Sequence, residues 1–444
     1  MKYDNYDLLI ITPNRFRNIL KKFKQHKETF NIKTKIVTLG EIYNSSFITS
    51  NARDKQEKIK YFIKGSIEKG NIKYVMLIGG DKQIPVRYIH NFDIYPANPD
   101  IKEPPYISDL YYADIYDKDG NFSRWNSNNN NKYGEWCGKT AQDKNIDLRP
   151  DVSIGRLPCK NRFELKILLN KITNYEKKSY GKGWFKNIIA VGGNTHPEFS
   201  SKMGGELDLE KALSYMQKNN KIRLYGSKGN LDRANIIKSI NKGCGFLALS
   251  GHGNPPFWTT HNSNKKGLIP RFSLYHMNLL YNKYKLPICI ASGCRNSAFD
   301  TSIINLIKHP YHSYYWMDCI PNCWMAKINK VITGGSIASL GSTGLGYTKY
   351  ESITGGKADA WSYVTPRFFY EYNVKKIDIL GDIWSNIIKN YLREFPIDWN
   401  TPSLDYNIES SEPKPDVINA RTVQQFILLG DPTLKIGGYD LDKL

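Results

Sequence analysis

Two short segments hold the residue types that nucleophilic catalysis requires. The apolar run Gly245-Phe-Leu-Ala-Leu ends in Ser250-Gly251-His252-Gly253-Asn254, and Leu286-Pro-Ile-Cys-Ile-Ala ends in Ser292-Gly293-Cys294-Arg295-Asn296. Each delivers one reactive side chain beside glycine at the carboxyl end of a strand-like run. A thiol with an ordinary pKa of ~8.5 is mostly protonated near neutrality, and its thiolate is the nucleophile. An imidazole within reach can take that proton and later give it to a leaving amine. Gly253 frees its N–H to turn towards a substrate carbonyl. With the Cys294 N–H it would form an oxyanion hole, each donor of which is worth ~3 kcal/mol in the transition state. A histidine in a glycine turn, or a cysteine at a strand end, is more often structural when it stands alone. The pairing of two such tips is what favours chemistry. Cys289, inside the second apolar run, is expected to be core and inert.

Something must bring the tips together, since about forty residues separate them. Runs rich in Ile, Val and Leu read as strands at Leu8–Thr12, Thr34–Leu39, Tyr74–Gly79, Asn187–Gly192, Lys221–Tyr225, Gly245–Ser250, Pro287–Ala291 and Ser336–Leu340. Helical periodicity covers Asn14–Lys24, Asp54–Lys69, Arg162–Lys178, Glu206–Lys218, Leu231–Asn241 and Asp378–Glu394. Near-continuous apolar strands alternating with helices predict an α/β fold with mostly parallel sheets covered on both faces. The alternation starts afresh near Trp184, so two units are expected, residues 1–180 and 181–444. Neighbouring parallel strands in the second unit would place both tips in the crevice where such sheets bind ligands.

The formal charge of +21 over 444 residues raises nucleic acid and anionic surfaces as partners. However, the lysines are scattered, with no run of five or six basic residues, so no specific nucleic-acid site is expected. Seven cysteines in so long a chain argue against a disulfide framework and leave at least one free thiol. The polar Met1–Asp7 leads into an apolar run too short for a signal peptide or a membrane span. The chain is therefore expected to be cytoplasmic or the processed form of a secreted protein, and its oligomeric state is open.

Two further clusters carry ligand types. Asp117-Lys-Asp119-Gly120-Asn121 alternates oxygen-bearing side chains around a bend, which suits calcium, although an Asx-rich surface turn has the same composition. His309, His312, Cys319 and Cys323 are zinc-ligand types, but their spacing fits no compact finger. The aromatic-rich Tyr314–Trp324 favours packing there.

The histidine segment, Leu249-Ser250-Gly251-His252-Gly253-Asn254-Pro255 with Trp258 and Thr260-His261, resembles the histidine motif of gingipain-like cysteine peptidases of the caspase-type clan. Leu286-Pro287 leading to Gly293-Cys294-Arg295-Asn296-Ser297 and Phe299 resembles the family's cysteine motif, and the archaeal members are the nearest likeness. Tyr74–Gly80 with Ile84-Pro85, Ser108-Asp109-Leu-Tyr-Tyr112-Ala-Asp114 and Pro150-Asp151-Val-Ser-Ile-Gly155-Arg156-Leu157 resemble its first subdomain. Ile337-Ala-Ser-Leu-Gly341 and Leu429-Gly430-Asp431-Pro432-Thr433-Leu434 resemble its closing motifs.

The resemblance implies two caspase-like subdomains and a cysteine-type endopeptidase acting on polypeptides. His252 would be the base, Cys294 the nucleophile, and the Gly253 and Cys294 amides the oxyanion donors. No cofactor is required for catalysis, and structural calcium is compatible. Where some members carry an acid that orients the histidine, this chain has Asn194, so Asn194 or Glu206 is the candidate orienter. Asp208 matches the aspartate with which the bacterial gingipains select Arg or Lys, and also suits a helix start. The alternative is a catalytically silent relative that binds peptides or partner proteins.

Overall fold

The computed structural model describes residues 5–45, 52–91, 94–95, 98–102, 105–197, 201–262, 267–268, 270–303, 322–347, 360–403 and 413–443. The first half lays down β1 (Leu8–Thr12), α1 (Arg17–Glu28), β2 (Thr34–Thr38), α2 (Lys55–Gly70), β3 (Tyr74–Ile78), β4 (Ser153–Leu157) and α3 (Arg162–Lys178). Its four strands form one all-parallel sheet in the order β2-β1-β3-β4. Helices α2 and α3 start where the sequence supplies a cap. Asp54 accepts from the Glu57 N–H at the start of α2, and Asn161 from the Glu164 N–H at the start of α3, satisfying amides that the helix cannot.

The second half contributes β5 (Asn187–Gly192), α4 (Gly204–Ser214), β6 (Asn220–Tyr225), α5 (Arg233–Lys242), β7 (Phe246–Ser250), a hairpin of β8 (His252–Asn254) and β9 (Phe257–Thr259), then β10 (Phe272–Ser273), β11 (Ile288–Ser292), α6 (Trp324–Asn329), β12 (Ala338–Ser342), α7 (Ala360–Phe369), α8 (Leu380–Glu394), α9 (Pro415–Gln424) and β13 (Phe426–Leu429). Its main sheet runs β6-β5-β7-β11-β12-β13, parallel except for β13, which is antiparallel to β12. Strands β8, β9 and β10 make a small separate sheet.

The apolar runs of this sheet face cores on both sides. Ile188 and Ala190 join the large cluster that also holds Leu8–Ile11 and Val75–Ile78, whereas Ile189 and Val191 face a second cluster with Trp258 and Trp324. Such double burial is what a near-continuous apolar strand encodes.

The α/β class and most element positions match the sequence reading. Helix α4 lies at residues 204–214 rather than 206–218, and β12 starts two residues later than expected. Strands β4, β10 and β13, helices α6, α7 and α9, and the hairpin were not anticipated. The change of sheet falls between β4 and β5, on either side of residue 180. The C-terminal segment nevertheless packs back on the first sheet. Tyr74 Oη donates to Asp382 of α8 at 3.0 Å, and Ser153 Oγ lies 2.8 Å from Ser385 Oγ. Buried Lys27 of α1 pairs with Glu176 of α3 at 2.8 Å and with Asp431, just past β13, at 2.6 Å.

Candidate active site

Strands β7 and β11 are parallel neighbours, with Ser250 opposite Ser292 as the last pair. His252, which opens β8, and Cys294, in the turn after β11, each lie two residues beyond that pair. Both line one cavity of about 160 Å³, together with Asp208, Tyr347, Trp361 and Ser362.

The two turns are locked to each other by main-chain contacts. A Cβ on Gly253 would come within 2.2 Å of Asn296 Oδ1, and one on Gly293 within 3.3 Å of the Gly253 Cα and N. The backbones touch there, and only glycine fits. Asn296, fully buried, donates through Nδ2 to the carbonyls of Asn254 (2.7 Å) and Phe257 (2.8 Å). Trp258 Nε1 donates to Ser292 O at 3.1 Å. The hairpin carrying the histidine is thus stitched to the loop carrying the cysteine. Asn296 was visible in the sequence as part of the cysteine segment, but nothing there revealed its clamp.

Cys294 stands on a tight turn. Arg295 takes the left-handed conformation (φ 56°), which costs a non-glycine residue about 1 kcal/mol or more. The turn is held from behind by Arg295 N–H to Gly344 O and by Ser297 N–H to Ser342 O, at 2.9 and 2.8 Å. The Gly346 N–H donates to Cys294 Sγ at 3.3 Å, and Sγ lies 3.6 Å from Gly346 O. Arg421 of α9 fixes this 344–347 stretch by donating to Leu345 O at 3.0 Å and Asn91 O at 2.9 Å. His252 presents Nε2 to the carbonyl oxygen of Thr195, and the rings of His196 and His261 meet it edge-on at 5.1 and 5.6 Å.

Peptidase family C25 matches residues 2–437. The chain belongs to this family. Gingipain R2 of Porphyromonas gingivalis (strain W83) is 23% identical over 303 residues, which cover 67% of this chain and 33% of that protein. An uncharacterized protein of Archaeoglobus fulgidus is 20% identical over 372 residues, 77% of this chain and 76% of its own length. The chain spans about a third of the length of the gingipain R2 it matches. Among solved structures, the Arg-specific cysteine proteinase gingipain R shares the fold with a TM-score of 0.62, at 18% identity, covering 97% of this chain and 78% of that one.

The remaining expected site residues of this C25 chain are placed as follows. Asp208, in the second turn of α4, reaches the same cavity, where its Oδ2 accepts from Ser362 Oγ at 2.9 Å and lies 3.5 Å from Ser250 Oγ. Trp361 and Ser362 come from α7, which the sequence reading missed. Asn194 Oδ1 accepts from the His196 N–H at 3.0 Å. The Glu206 carboxylate accepts from the N–H and hydroxyl of Ser227.

In the 117–121 loop, Asp117 Oδ1 accepts the N–H groups of Asp119 and Asn121 at 2.9 and 2.8 Å, so the loop forms an Asx turn. Among the described residues no group of three His, Cys, Asp or Glu side chains is placed to hold a metal ion. His309, His312 and Cys319 lie outside the described residues. Cys323 is buried, and burial pushes its thiol up to about 12. Cys289 is fully buried, and burial holds its thiol well above the ordinary range.

The first half also reaches the loop that follows Cys294. Arg156 of β4 forms a buried two-pronged pair with Asp109, both bonds 2.7 Å, and its guanidinium lies 5.1 Å from the ring of Phe299, in the loop that follows Cys294. These are residues of the upstream segments singled out in the sequence.

Proposed function

We propose that the chain is a cysteine endopeptidase with Cys294 as nucleophile and His252 as proton-transfer partner. The Cys294 thiolate attacks the scissile carbonyl carbon, forming an S–C bond. The oxygen that becomes negative is received by the N–H groups of Cys294 and Gly253. Collapse breaks the C–N bond as His252 protonates the departing amine. Water, deprotonated by His252, then hydrolyses the thioester and releases the carboxylate product. The observation that supports this reading is that His252 and Cys294, each two residues past the Ser250–Ser292 pair of adjacent parallel strands, line one cavity.

The same reading extends to specificity. The cavity is lined by the Asp208 carboxylate and by Trp361, a combination suited to a cationic side chain with a flat or extended apolar stem. Cleavage after Arg or Lys is the corresponding proposal, in line with the Arg specificity named for gingipain R.

A substrate-like, thiol-directed inhibitor carrying Arg at its reactive end tests both parts. It is expected to label Cys294 in the unaltered chain and to leave His252→Ala unlabelled. Asp208→Asn should lower kcat/KM on Arg substrates by about 10- to 100-fold while acting less on a neutral one. Equal labelling of Cys294 in His252→Ala would remove the catalytic pair from consideration.

A further inference from the structure

Parallel strands give a sheet two unlike ends. His252 and Cys294 follow the carboxyl ends of β7 and β11, whereas the loops that enter β5, β7, β11 and β12 gather at the amino end. Those loops, residues 178–187, 241–245, 279–287 and 330–337, are one-sided in charge. They carry six exposed lysines, Lys178, Lys182, Lys186, Lys242, Lys283 and Lys285, and no aspartate or glutamate. Tyr180, Leu279, Tyr281, Tyr284 and Ile332 stand among them, each at least half exposed and Ile332 69%.

Contacts join the loops into one surface. Lys178 Nζ lies 5.4 Å from the centre of the Tyr284 ring. The Lys283 N–H donates to Thr333 O at 2.9 Å, and Thr333 Oγ1 to Leu280 O at 2.6 Å. Asn241 accepts the Tyr281 N–H at 2.8 Å and donates to Leu279 O at 3.0 Å. A Cβ on Gly243 would meet the Lys285 side chain at 2.5 Å. The surface is also held from beneath. Buried Lys171 donates to the carbonyls of Asn329, Val331 and Gly334, at 2.7, 3.2 and 2.7 Å, and so fixes the loop carrying Ile332. Buried Asn282 donates to Lys285 O and Gly335 O, both at 2.9 Å.

Rings and aliphatic side chains set out among lysines match the boundary of an anionic bilayer. Tyrosine lodges at headgroup level, aliphatic groups enter the acyl boundary, and ammonium groups face lipid phosphates. All six cations are lysine, whereas nucleic-acid readers favour the planar fork of arginine. Leu279 and Ile332 have no ring to stack on a base. A second copy would bring the same charge to this face. The C-terminal stretch beside Tyr180, where a Cβ on Gly438 would come within 3.1 Å of the Tyr180 N, carries Asp440 and Asp442. Asp440 pairs with Lys443 at 3.4 Å, so the face stays positive.

We infer that this face docks the chain on an anionic lipid surface. The attachment is peripheral: among the described residues no helix is long and apolar enough to cross a membrane. The inference goes beyond the peptidase reading and gives it a direction. A five-residue strand spans ~17 Å, so a chain docked by its amino-end loops opens the cavity of His252 and Cys294 away from the lipid.

The test is flotation of the full chain with vesicles of phosphatidylcholine, alone or with about one-third phosphatidylglycerol. Binding is expected to the anionic vesicles only, falling as salt rises. Lys178→Glu/Lys283→Glu/Lys285→Glu should weaken it by about 100-fold or more. Lys22→Glu/Lys118→Glu/Lys228→Glu, the same charge change at exposed lysines outside these loops, should stay within about threefold. Leu279→Ser/Ile332→Ser should weaken binding about tenfold without altering its salt dependence. Iodoacetamide should reach Cys294 equally fast in the free and the vesicle-bound chain.

No binding to anionic vesicles, or equal loss in the two triple variants, would overturn the inference. So would a DNA duplex bound through the same lysines by a chain that ignores vesicles. Protection of Cys294 by vesicles would overturn the orientation. None of these readouts needs a peptide to be cut, so the docking face and the peptidase reading fail separately.

Discussion

The two sheets present the same position twice and put it to opposite use. In the second sheet, two residues past the Ser250–Ser292 pair, stand His252 and Cys294. In the first sheet, two residues past the Ile78–Leu157 pair, stand Gly80 and Cys159. Both cysteines follow the carboxyl end of a parallel strand. Cys159, however, is fully buried, has glycine where the other has imidazole, and has its thiol pushed up to about 12, first by burial and then by Glu164. The crevice at that end of the first sheet, about 210 Å³, is lined by Gly80, Gln83, Lys160, Phe299 and Lys330 among others, and among the described residues its lining holds no thiol or imidazole. A strand-end cysteine is thus no nucleophile by position. On the proposed reading it needs an imidazole and access to a shared cavity, and of these two cysteines Cys294 has both.

The comparison breaks most sharply at the sulfur. Cys294→Ala should lower turnover by ~10⁴ or more while leaving the melting temperature nearly unchanged, as removal of a nucleophile does elsewhere. Cys159→Ala should keep turnover. Alkylation by iodoacetamide followed by peptide mapping gives the companion measurement. With a pKa of about 12, Cys159 is thiolate in only about one part in 10⁴–10⁵ at pH 7.5, so label there before Cys294 would contradict the contrast.

Next in size is the buttress that the first sheet offers the second. Arg156→Met leaves Asp109 buried without its partner, at a cost of about 3–5 kcal/mol in chemical denaturation. The Asp109→Leu/Arg156→Met double variant should recover much of that. Well below melting, both should cut more slowly, since Arg156 also supports Phe299 behind the Cys294 turn. Full turnover in a destabilised Arg156→Met would confine the pair to stability. Asn296→Ala is smaller, about 1–3 kcal/mol, because two buried carbonyls lose their donor. It should also slow turnover about tenfold by unstitching the hairpin from the cysteine turn. Asn296→Asp, which turns an acceptor towards those carbonyls, should be worse on both counts.

What the sequence disclosed follows from which interactions it can carry. Ile, Val and Leu runs such as Asn187–Gly192 and Leu8–Thr12 are strands because both faces are buried, and composition alone reports that. Strand β4, Ser-Ile-Gly-Arg-Leu, was missed because its arginine is buried against an aspartate over forty residues away, which local hydrophobicity reads as surface. Helix α7, with Pro366 inside it, reads as broken, and with it went Trp361 and Ser362 from the cavity. That His252 and Cys294 would line one cavity was legible because each follows the end of a periodic element. The contacts that fix them were not, since Thr195 O, Gly346 N–H and the Asn254 and Phe257 carbonyls are main-chain groups that every residue possesses.

The smallest expected effect returns to the silent cysteine. Burial raises the folded pKa of Cys159 above its unfolded value, so between about pH 8.5 and 12 the unfolded chain holds fewer protons than the folded one. Stability from this thiol is therefore complete below pH ~8.5 and declines as pH rises, by at most ~1.4 kcal/mol per unit. Going from pH 8 to 10, the unaltered chain should lose up to about 2 kcal/mol more than Cys159→Ala, measured as the difference between their urea midpoints at each pH. If Cys159→Ala and the unaltered chain fell in parallel, the contrast drawn from the buried Cys159 thiol would fail.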